Sequence, residues 1–204
     1  MTGGTLVMPR TTLPSPAEPT APPVSNARLA MIVVIAAESM LFVGLIGTFL
    51  VFRLAARVWP PADLPRLPLG VTTFNTLVLL SSVVPMSAAL RAVRRDDGRA
   101  LGRALVQTAL LGTTFLAIQG GEWVRLVRHG LTAGGSMFGA TFYMLIGCHG
   151  VHVLTAVVWL LATVVLARAG RFTAARHAAL EMCAIYWYFV CALWLVLFPL
   201  VYLY

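Results

Sequence analysis

Five long apolar stretches, separated by short polar links, constrain the fold of this 204-residue chain more than any other feature. A helix needs about 20 predominantly apolar residues to cross the hydrocarbon core of a bilayer. The stretches cover residues 29–54, 72–93, 103–127, 137–167 and 179–203, and each is long enough. Because only helices and closed barrels satisfy their backbone hydrogen bonds in lipid, the sequence predicts an all-α integral membrane protein, a bundle of five transmembrane helices.

Composition supports this class and argues against others. Charged residues make up 11% of the chain, whereas about a quarter of the residues of a soluble domain are charged. The net charge of +8 comes from arginines flanking the apolar stretches, so it does not indicate nucleic-acid binding. The sequence has no Walker loop, no dinucleotide-binding glycine motif and no Ser-His-Asp arrangement. We therefore expect no catalytic or cofactor-binding residues in this chain, and we expect it to act through a partner.

The segment before the first apolar stretch has a different composition. Residues 1–27 are rich in Pro, Thr, Ser and Ala and cannot bury much apolar surface, so we expect a disordered tail. They contain no apolar run followed by a small-residue cleavage site, and we expect no cleaved signal peptide. Residues 28–204 then form a single transmembrane domain.

Arginine placement predicts the orientation. Ten of the 15 arginines lie in the tail and in the second and fourth links, and five lie in the first and third links. Because basic residues accumulate on the cytoplasmic side, we expect a cytoplasmic N-terminus and a C-terminus outside. Trp59 and Trp123 then lie near the outer interface, where amphipathic aromatic side chains contact lipid headgroups.

Ionisable residues within the predicted spans are candidates for function, because charge is costly in the hydrocarbon core. Glu38 is ten residues from Arg28, which places it roughly 15 Å from the inner edge at the helical rise. Two interpretations stay open: a neutral carboxyl group bonded inside a helix interface, or a group that exchanges protons with a neighbouring pathway. Glu122, beside Trp123, is interpreted as an interfacial carboxylate.

His149 and His152 lie three positions apart and share a helix face. A metal site needs a further ligand at the same depth. Glu181 lies about 16 Å closer to the inner edge than His152 by helical rise, so it is too far away, whereas Tyr188 lies deep enough to hydrogen-bond a histidine. No metal site is predicted. We expect a buried interhelical polar set that consists of His149, His152, Glu122, Glu181 and Tyr188.

Six segments, in order, resemble subunit III of the haem-copper respiratory oxidases, the cytochrome c and quinol oxidases, in the short five-helix bacterial form. Together they span most of residues 29–204, and the "CHGVHV" and "YWYFV" segments at this spacing are the most specific. The segments are "ESMLF" (38–42), "WPP" (59–61), "NTLVLLSS" (75–82), "QGGEW" (119–123), "FYMLIGCHGVHV" (142–153) and "E....YWYFV...W" (181–194).

The resemblance implies a non-catalytic subunit that packs beside the catalytic subunit I, which holds haem and copper, and assembles with subunit II in the bacterial plasma membrane. It implies phospholipid binding, support of proton uptake and protection of the catalytic subunit from inactivation during turnover; it leaves a larger respiratory supercomplex open. Glu38 matches the family's membrane-embedded carboxylate, which reacts with carbodiimides. His149, His152, Glu122 and Glu181 match its internal polar residues.

Two positions depart from the family pattern. Tyr188 stands where the family usually has His, and Cys191 stands where it usually has Asp. These substitutions leave a second interpretation open, an accessory membrane subunit of a nitric oxide reductase-type complex. A stand-alone transporter is disfavoured, because the five spans show no inverted repeat and no matching pair of broken helices.

Overall fold

A computed structural model describes residues 26–59, 61 and 67–203, and these residues form an all-helical bundle. The elements are α1 (Asn26–Ala55), α2 (Leu69–Ser81), α3 (Val83–Val93), α4 (Gly98–Arg128), α5 (Met137–Arg168), α6 (Ala178–Phe198) and a π-helical turn (Pro199–Leu203). Five helical segments are long and apolar enough to cross a membrane, taking α2 with α3 and α6 with the π-helical turn. The prediction of five transmembrane helices is confirmed, and each predicted stretch lies within one of these segments. Of the predicted tail, residues 1–25 lie outside the described residues, and Asn26 and Ala27 already belong to α1.

The second span is not one uninterrupted helix, as the apolar pattern predicted. It is divided at Ser82, between α2 and α3. Pro85, three residues later, has no N–H to bond the carbonyl of Ser81, and its ring crowds that carbonyl. The Ser82 hydroxyl donates to the carbonyl of Leu79. The break thus places the Ser82 hydroxyl where it can also accept a hydrogen bond from a neighbouring helix.

The last helix, α6, lies at the centre of the bundle. It packs against α1, α2, α3 and α5, and α4 closes the side between α3 and α5. Half of the residues across the apolar stretch of α6 are buried, against 11% for α1. Because lipid removes the hydrophobic driving force between helices, this difference reflects helix packing, and α1 presents most of its surface outward.

Three parts of the chain meet at one end of the bundle. Glu181, at the start of α6, pairs with Arg28 at the start of α1 (3.2 Å) and with Arg94 at the end of α3 (3.5 Å). Asp96, in the turn before α4, accepts a hydrogen bond from the backbone N–H of Ala174 in the link between α5 and α6 (2.6 Å). The N-terminal segment and the second and fourth links therefore share one end, as the alternation of five spans requires.

Gly112 of α4 leaves the space that the indole ring of Trp187 on α6 occupies. A Cβ atom at this position would overlap the indole ring of Trp187 and lie 3.2 Å from Cγ2 of Val157. Trp187 is fully buried, and its Nε1–H donates to the Ser82 hydroxyl (3.0 Å), so the ring cannot move aside freely.

We predict that Gly112→Ala destabilises the bundle by about 1–3 kcal/mol, the usual cost of overpacking a filled core. The matched control is Gly121→Ala on the same helix, where a Cβ atom would meet nothing within 4 Å. That control should be neutral or stabilise the helix by up to about 1 kcal/mol through propensity. Unfolding of both variants in rising sodium dodecyl sulfate measures the difference, and equal midpoints would contradict the packing assignment.

Candidate functional site

The Glu38 carboxyl group lies where α1, α5 and α6 meet. Its Oε1 accepts a hydrogen bond from the Tyr186 hydroxyl (3.4 Å), and its Oε2 lies 3.7 Å from Nε2 of His152. Oε2 is buried and has no hydrogen-bond partner in the described part of the chain. The carboxyl group therefore has one bonded oxygen and one oxygen that faces an imidazole nitrogen. It lies on the helix that is least buried and most available to a partner.

His152 is held in place from two further directions. Its Nδ1 lies 2.7 Å from the backbone carbonyl of Cys148, one turn earlier in α5. The ring of Phe42 packs edge-on against the imidazole, with centroids 5.0 Å apart, and Phe42 is itself buried. These contacts fix the plane of the imidazole relative to Glu38, one helical turn before Phe42 on α1.

His149 contacts a different set of neighbours, although it shares a helix face with His152. It is buried and stacks on the indole ring of Trp194 with centroids 5.1 Å apart. Neither of its ring nitrogens has a hydrogen-bond partner among the described residues. The geometry thus shows an aromatic contact between helices for His149.

A cavity of about 290 Å³ lies beside this histidine, between α4 and α5. Gly120 of α4 and Gly147 and Gly150 of α5 line it, because the missing side chains leave space between the helices. Trp123 also lines the cavity, and its ring lies directly over Gly150. Apart from His149 and Gln119, the residues that line this cavity are apolar, so the space suits a hydrocarbon chain.

Among the described residues, the hydroxyl of Tyr188 bonds a serine, whereas its depth had suggested a histidine. Its hydroxyl shares a hydrogen bond with the hydroxyl of Ser87 on α3 (2.9 Å). Tyr188 thus links α6 to α3.

The two carboxylates of the predicted polar set, Glu181 and Glu122, lie apart from Glu38. Glu181 belongs to the ionic cluster at the end of the bundle and also lies 3.3 Å from Nε2 of His177. Glu122 pairs with Arg125 one turn later on α4 (3.0 Å). The five residues therefore form separate contacts, and within the set no two of them pair with each other among the described contacts.

The two tryptophans assigned to the lipid interface are both partly buried. Trp59 lies edge-on between Phe49 of α1 (5.7 Å) and Phe138 of α5 (5.1 Å). Trp123 contacts Tyr143 of α5 with centroids 6.5 Å apart. Each therefore holds helices together at the end opposite the ionic cluster, and interfacial lipid contact by these side chains stays a prediction.

No group of three or more His, Cys, Asp or Glu side chains within residues 26–59, 61 and 67–203 is arranged to hold a metal ion. The pair of His152 and Glu38 supplies two potential ligands, and His149 is turned toward Trp194. The chemistry that this arrangement supports is proton binding by a carboxyl group and an imidazole.

Several polar residues that the sequence reasoning missed connect α2 and α3 to the rest of the bundle. Asn75 donates from Nδ2 to the carbonyl of Phe115 on α4 (3.0 Å), and the Thr76 hydroxyl accepts from Nε1 of Trp194 (2.9 Å). Ser82 accepts from Trp187 in the same way. Their signal was present in "NTLVLLSS", because polar side chains within an apolar span require partners inside the protein.

The chain is similar to known proteins over nearly its whole length. A family model described as "Cytochrome c oxidase subunit III" matches residues 19–204. A protein of Synechocystis sp. named cytochrome c oxidase subunit 3 is 35% identical over 174 residues, which cover 85% of this chain and 73% of the relative. The protein of that name from Thermostichus vulcanus is 34% identical, covering 86% of each chain. A protein of Mycobacterium leprae named as a probable cytochrome c oxidase subunit 3 is 34% identical over 84% of each.

We predict that Thr76→Val destabilises the bundle by about 0.5–2 kcal/mol, because it leaves the buried Nε1–H of Trp194 without its acceptor. Valine has nearly the same shape as threonine, so packing changes little. Unfolding in rising sodium dodecyl sulfate, followed by tryptophan fluorescence, provides the measurement.

The control for this prediction is Thr155→Val. Thr155 is exposed, and its hydroxyl donates only to the carbonyl of Val151 on its own helix. This variant should shift the midpoint much less than Thr76→Val. Equal shifts would show that the Trp194 bond contributes nothing specific.

Proposed function

The chain belongs to the cytochrome c oxidase subunit III family, and from this we propose that it is the non-catalytic subunit III of a terminal haem-copper oxidase in aerobic respiration. It packs against the catalytic subunit I and assembles with subunit II. It binds phospholipid, supports proton uptake by the catalytic subunit and protects that subunit from inactivation during turnover. The protein names of the relatives favour this function over an accessory subunit of a nitric oxide reductase.

The observation that carries the proposal is the place of Glu38. A carboxyl group is costly in hydrocarbon unless protein or water surrounds it. Glu38 lies on α1, which is mostly exposed outward, yet its carboxyl group contacts Tyr186 and His152 within the bundle. Its side chain keeps 22% of its surface accessible. Glu38 is therefore positioned to exchange protons with a partner that packs on the exposed face of α1. In this proposal that partner is the catalytic subunit.

In this proposal, haem and copper belong to the catalytic subunit. Haem and copper sites in proteins use histidine, cysteine or methionine ligands that converge on one point. Within the described residues, the two membrane histidines of α5 diverge, His149 toward Trp194 and His152 toward Glu38. This chain supplies packing, lipid contacts and a proton-binding carboxyl group to the complex.

Phospholipid binding is supported by two apolar clefts on the outside of the bundle. One is the cavity of about 290 Å³ between α4 and α5. The other, of about 200 Å³, lies between α1 and α5 and is lined by Leu45, Phe52 and Met144, with Thr48 and Thr141 as polar groups. Clefts of this kind between transmembrane helices accept acyl chains. The two clefts flank α5 on its two sides.

We propose the bacterial plasma membrane as the location, with the ionic-cluster end in the cytoplasm. Nine described arginines lie at that end: one at the start of α1, five around the turn between α3 and α4, and three around the link between α5 and α6. Four described arginines lie at the opposite end. Basic residues favour the cytoplasmic side, so this distribution supports a cytoplasmic N-terminus.

The proposed function predicts that this chain copurifies with a catalytic subunit. An affinity-tagged version of this chain, purified from native membranes in mild detergent, should bring down a subunit that shows haem and copper by optical spectroscopy and elemental analysis. Isolation of a stable haem-free homo-oligomer would contradict the proposed function. A tagged unrelated membrane protein from the same membranes controls for nonspecific capture.

The proposed function also predicts the effect of Glu38→Gln on turnover. Glutamine keeps the size of the side chain but cannot carry a proton as a carboxyl group does. We expect the complex to assemble normally, and we expect inactivation during turnover to become severalfold faster as proton uptake slows. Oxygen consumption recorded over many turnovers, with the haem content fixed, provides the measurement.

The matched control is Glu122→Gln, which removes a carboxylate from α4 that pairs with Arg125 near the opposite end. Its inactivation kinetics should match those of the wild type. If Glu38→Gln is also inactivated during turnover at the wild-type rate, Glu38 has only a packing role.

A further inference from the structure

We propose that Glu38 and His152 form a single proton-holding site in the membrane, in which one proton is shared between Oε2 of Glu38 and Nε2 of His152. The backbone carbonyl of Cys148 keeps the other imidazole nitrogen protonated. This inference adds His152 to the role proposed above for Glu38. Its relevance to the oxidase complex rests on that proposed function. It assigns His152 as the group that receives the proton from the carboxyl group.

The tautomer of His152 follows from its contact with Cys148. Nδ1 lies 2.7 Å from the carbonyl oxygen of Cys148, a normal hydrogen-bond length. A carbonyl oxygen can only accept, so Nδ1 must carry a hydrogen. In a neutral imidazole the second nitrogen, Nε2, then has a free lone pair. The backbone of α5 therefore presents a proton acceptor to Glu38.

Tyr186 distinguishes the two oxygens of Glu38. Its hydroxyl donates to Oε1, whereas Oε2 is buried and has no hydrogen-bond partner among the described residues. Oε2 is also the oxygen nearest to His152, at 3.7 Å from Nε2. A proton on the carboxyl group therefore belongs on Oε2, opposite the free lone pair of the imidazole.

The separation of 3.7 Å is within ion-pair range but longer than a hydrogen bond of about 2.7–3.2 Å. Rotation of the Glu38 side chain, which is partly accessible, can close this gap. In the transfer step the Oε2–H bond breaks and an Nε2–H bond forms. A neutral acid and a neutral imidazole thereby become a carboxylate and an imidazolium. The pair remains neutral overall in both forms.

Neutrality explains why the pair holds one proton. Without that proton, Glu38 would be an anion in the hydrocarbon region with only the Tyr186 hydroxyl as a donor. With a second proton, the pair would carry a positive charge instead. The other titratable side chains that the adjacent helices bring near the pair are Tyr186, Cys148 and His149, and each of these is neutral in its ordinary form.

The pair is also placed so that it can exchange its proton. Phe42 fixes the imidazole plane from one side, with ring centroids 5.0 Å apart. The Glu38 side chain keeps 22% of its surface accessible on a helix that is mostly exposed, although Oε2 itself is buried. Release of the shared proton leaves a Glu38 carboxylate beside a neutral imidazole, so the pair must then take up another proton from the side that a partner subunit covers.

Nitrogen-15 magnetic resonance of the full chain, labelled at histidine and held in phospholipid nanodiscs, tests this inference. The His152 signals are assigned by their loss in His152→Gln. We expect a protonated Nδ1 and an Nε2 whose shift lies between the protonated and unprotonated limits. In Glu38→Gln, Nδ1 should stay protonated, while Nε2 should shift to the unprotonated limit.

The matched control is Glu181→Gln, since Glu181 also faces a histidine, His177, at 3.3 Å. It should move the His177 signals and leave those of His152 in place. An Nε2 signal of His152 that is the same in wild type and Glu38→Gln would overturn the proposal, as would an unprotonated Nδ1.

A second readout uses a different variant, so the result does not depend on the folding of Glu38→Gln. The infrared carbonyl stretch of a protonated carboxylic acid should be present in the wild-type chain and should shift in His152→Gln. An unshifted band, or no such band in the wild type, would overturn the shared-proton site. Neither readout requires oxidase activity, so its failure is distinct from a failure to copurify with a haem-containing subunit.

Discussion

The bundle depends on one constraint: a polar side chain in hydrocarbon must find its partner inside the protein. The tryptophans of α6 show how this constraint organises the chain. Trp187 and Trp194 donate to Ser82 and Thr76, so two indole N–H groups hold the last helix against the second span. Asn75 fastens the same span to α4. With these bonds in place α6 becomes the central helix, and α1 is left on the outside with Glu38.

The five spans could be predicted from the sequence because bilayer thickness fixes helix length, and apolar length is visible in one dimension. The division of the second span was missed, although Pro85 was its signal. Pro85 barely changes the number of apolar residues in the stretch. In the helix, however, it removes a backbone N–H donor and crowds the carbonyl of Ser81. The displaced Ser82 hydroxyl then meets Trp187.

At the candidate site, the depth of each side chain in the membrane was easier to predict than its contact partners. Helical rise predicted a large separation between Glu181 and His152, and the structure places Glu181 in the ionic cluster at the end of the bundle. The partners of Glu38, His149 and Tyr188 could not be predicted in this way. They depend on how each helix is rotated about its own axis, which packing against several neighbours decides together. Sequence spacing gives the height of a residue in the membrane but not the direction in which it faces.

The ionic contact between Arg28 and Glu181 joins residues that are 153 positions apart, at the starts of the first and last helices. During synthesis α1 enters the membrane before α5 and α6, so Glu181 and the partners of Glu38 do not yet exist. Because α1 packs against α5 and α6, its main contacts form only after these two helices have been inserted. The helix that is made first is thus among the last to be docked, and a chain that ends before α5 leaves the Glu38 carboxyl group without both His152 and Tyr186.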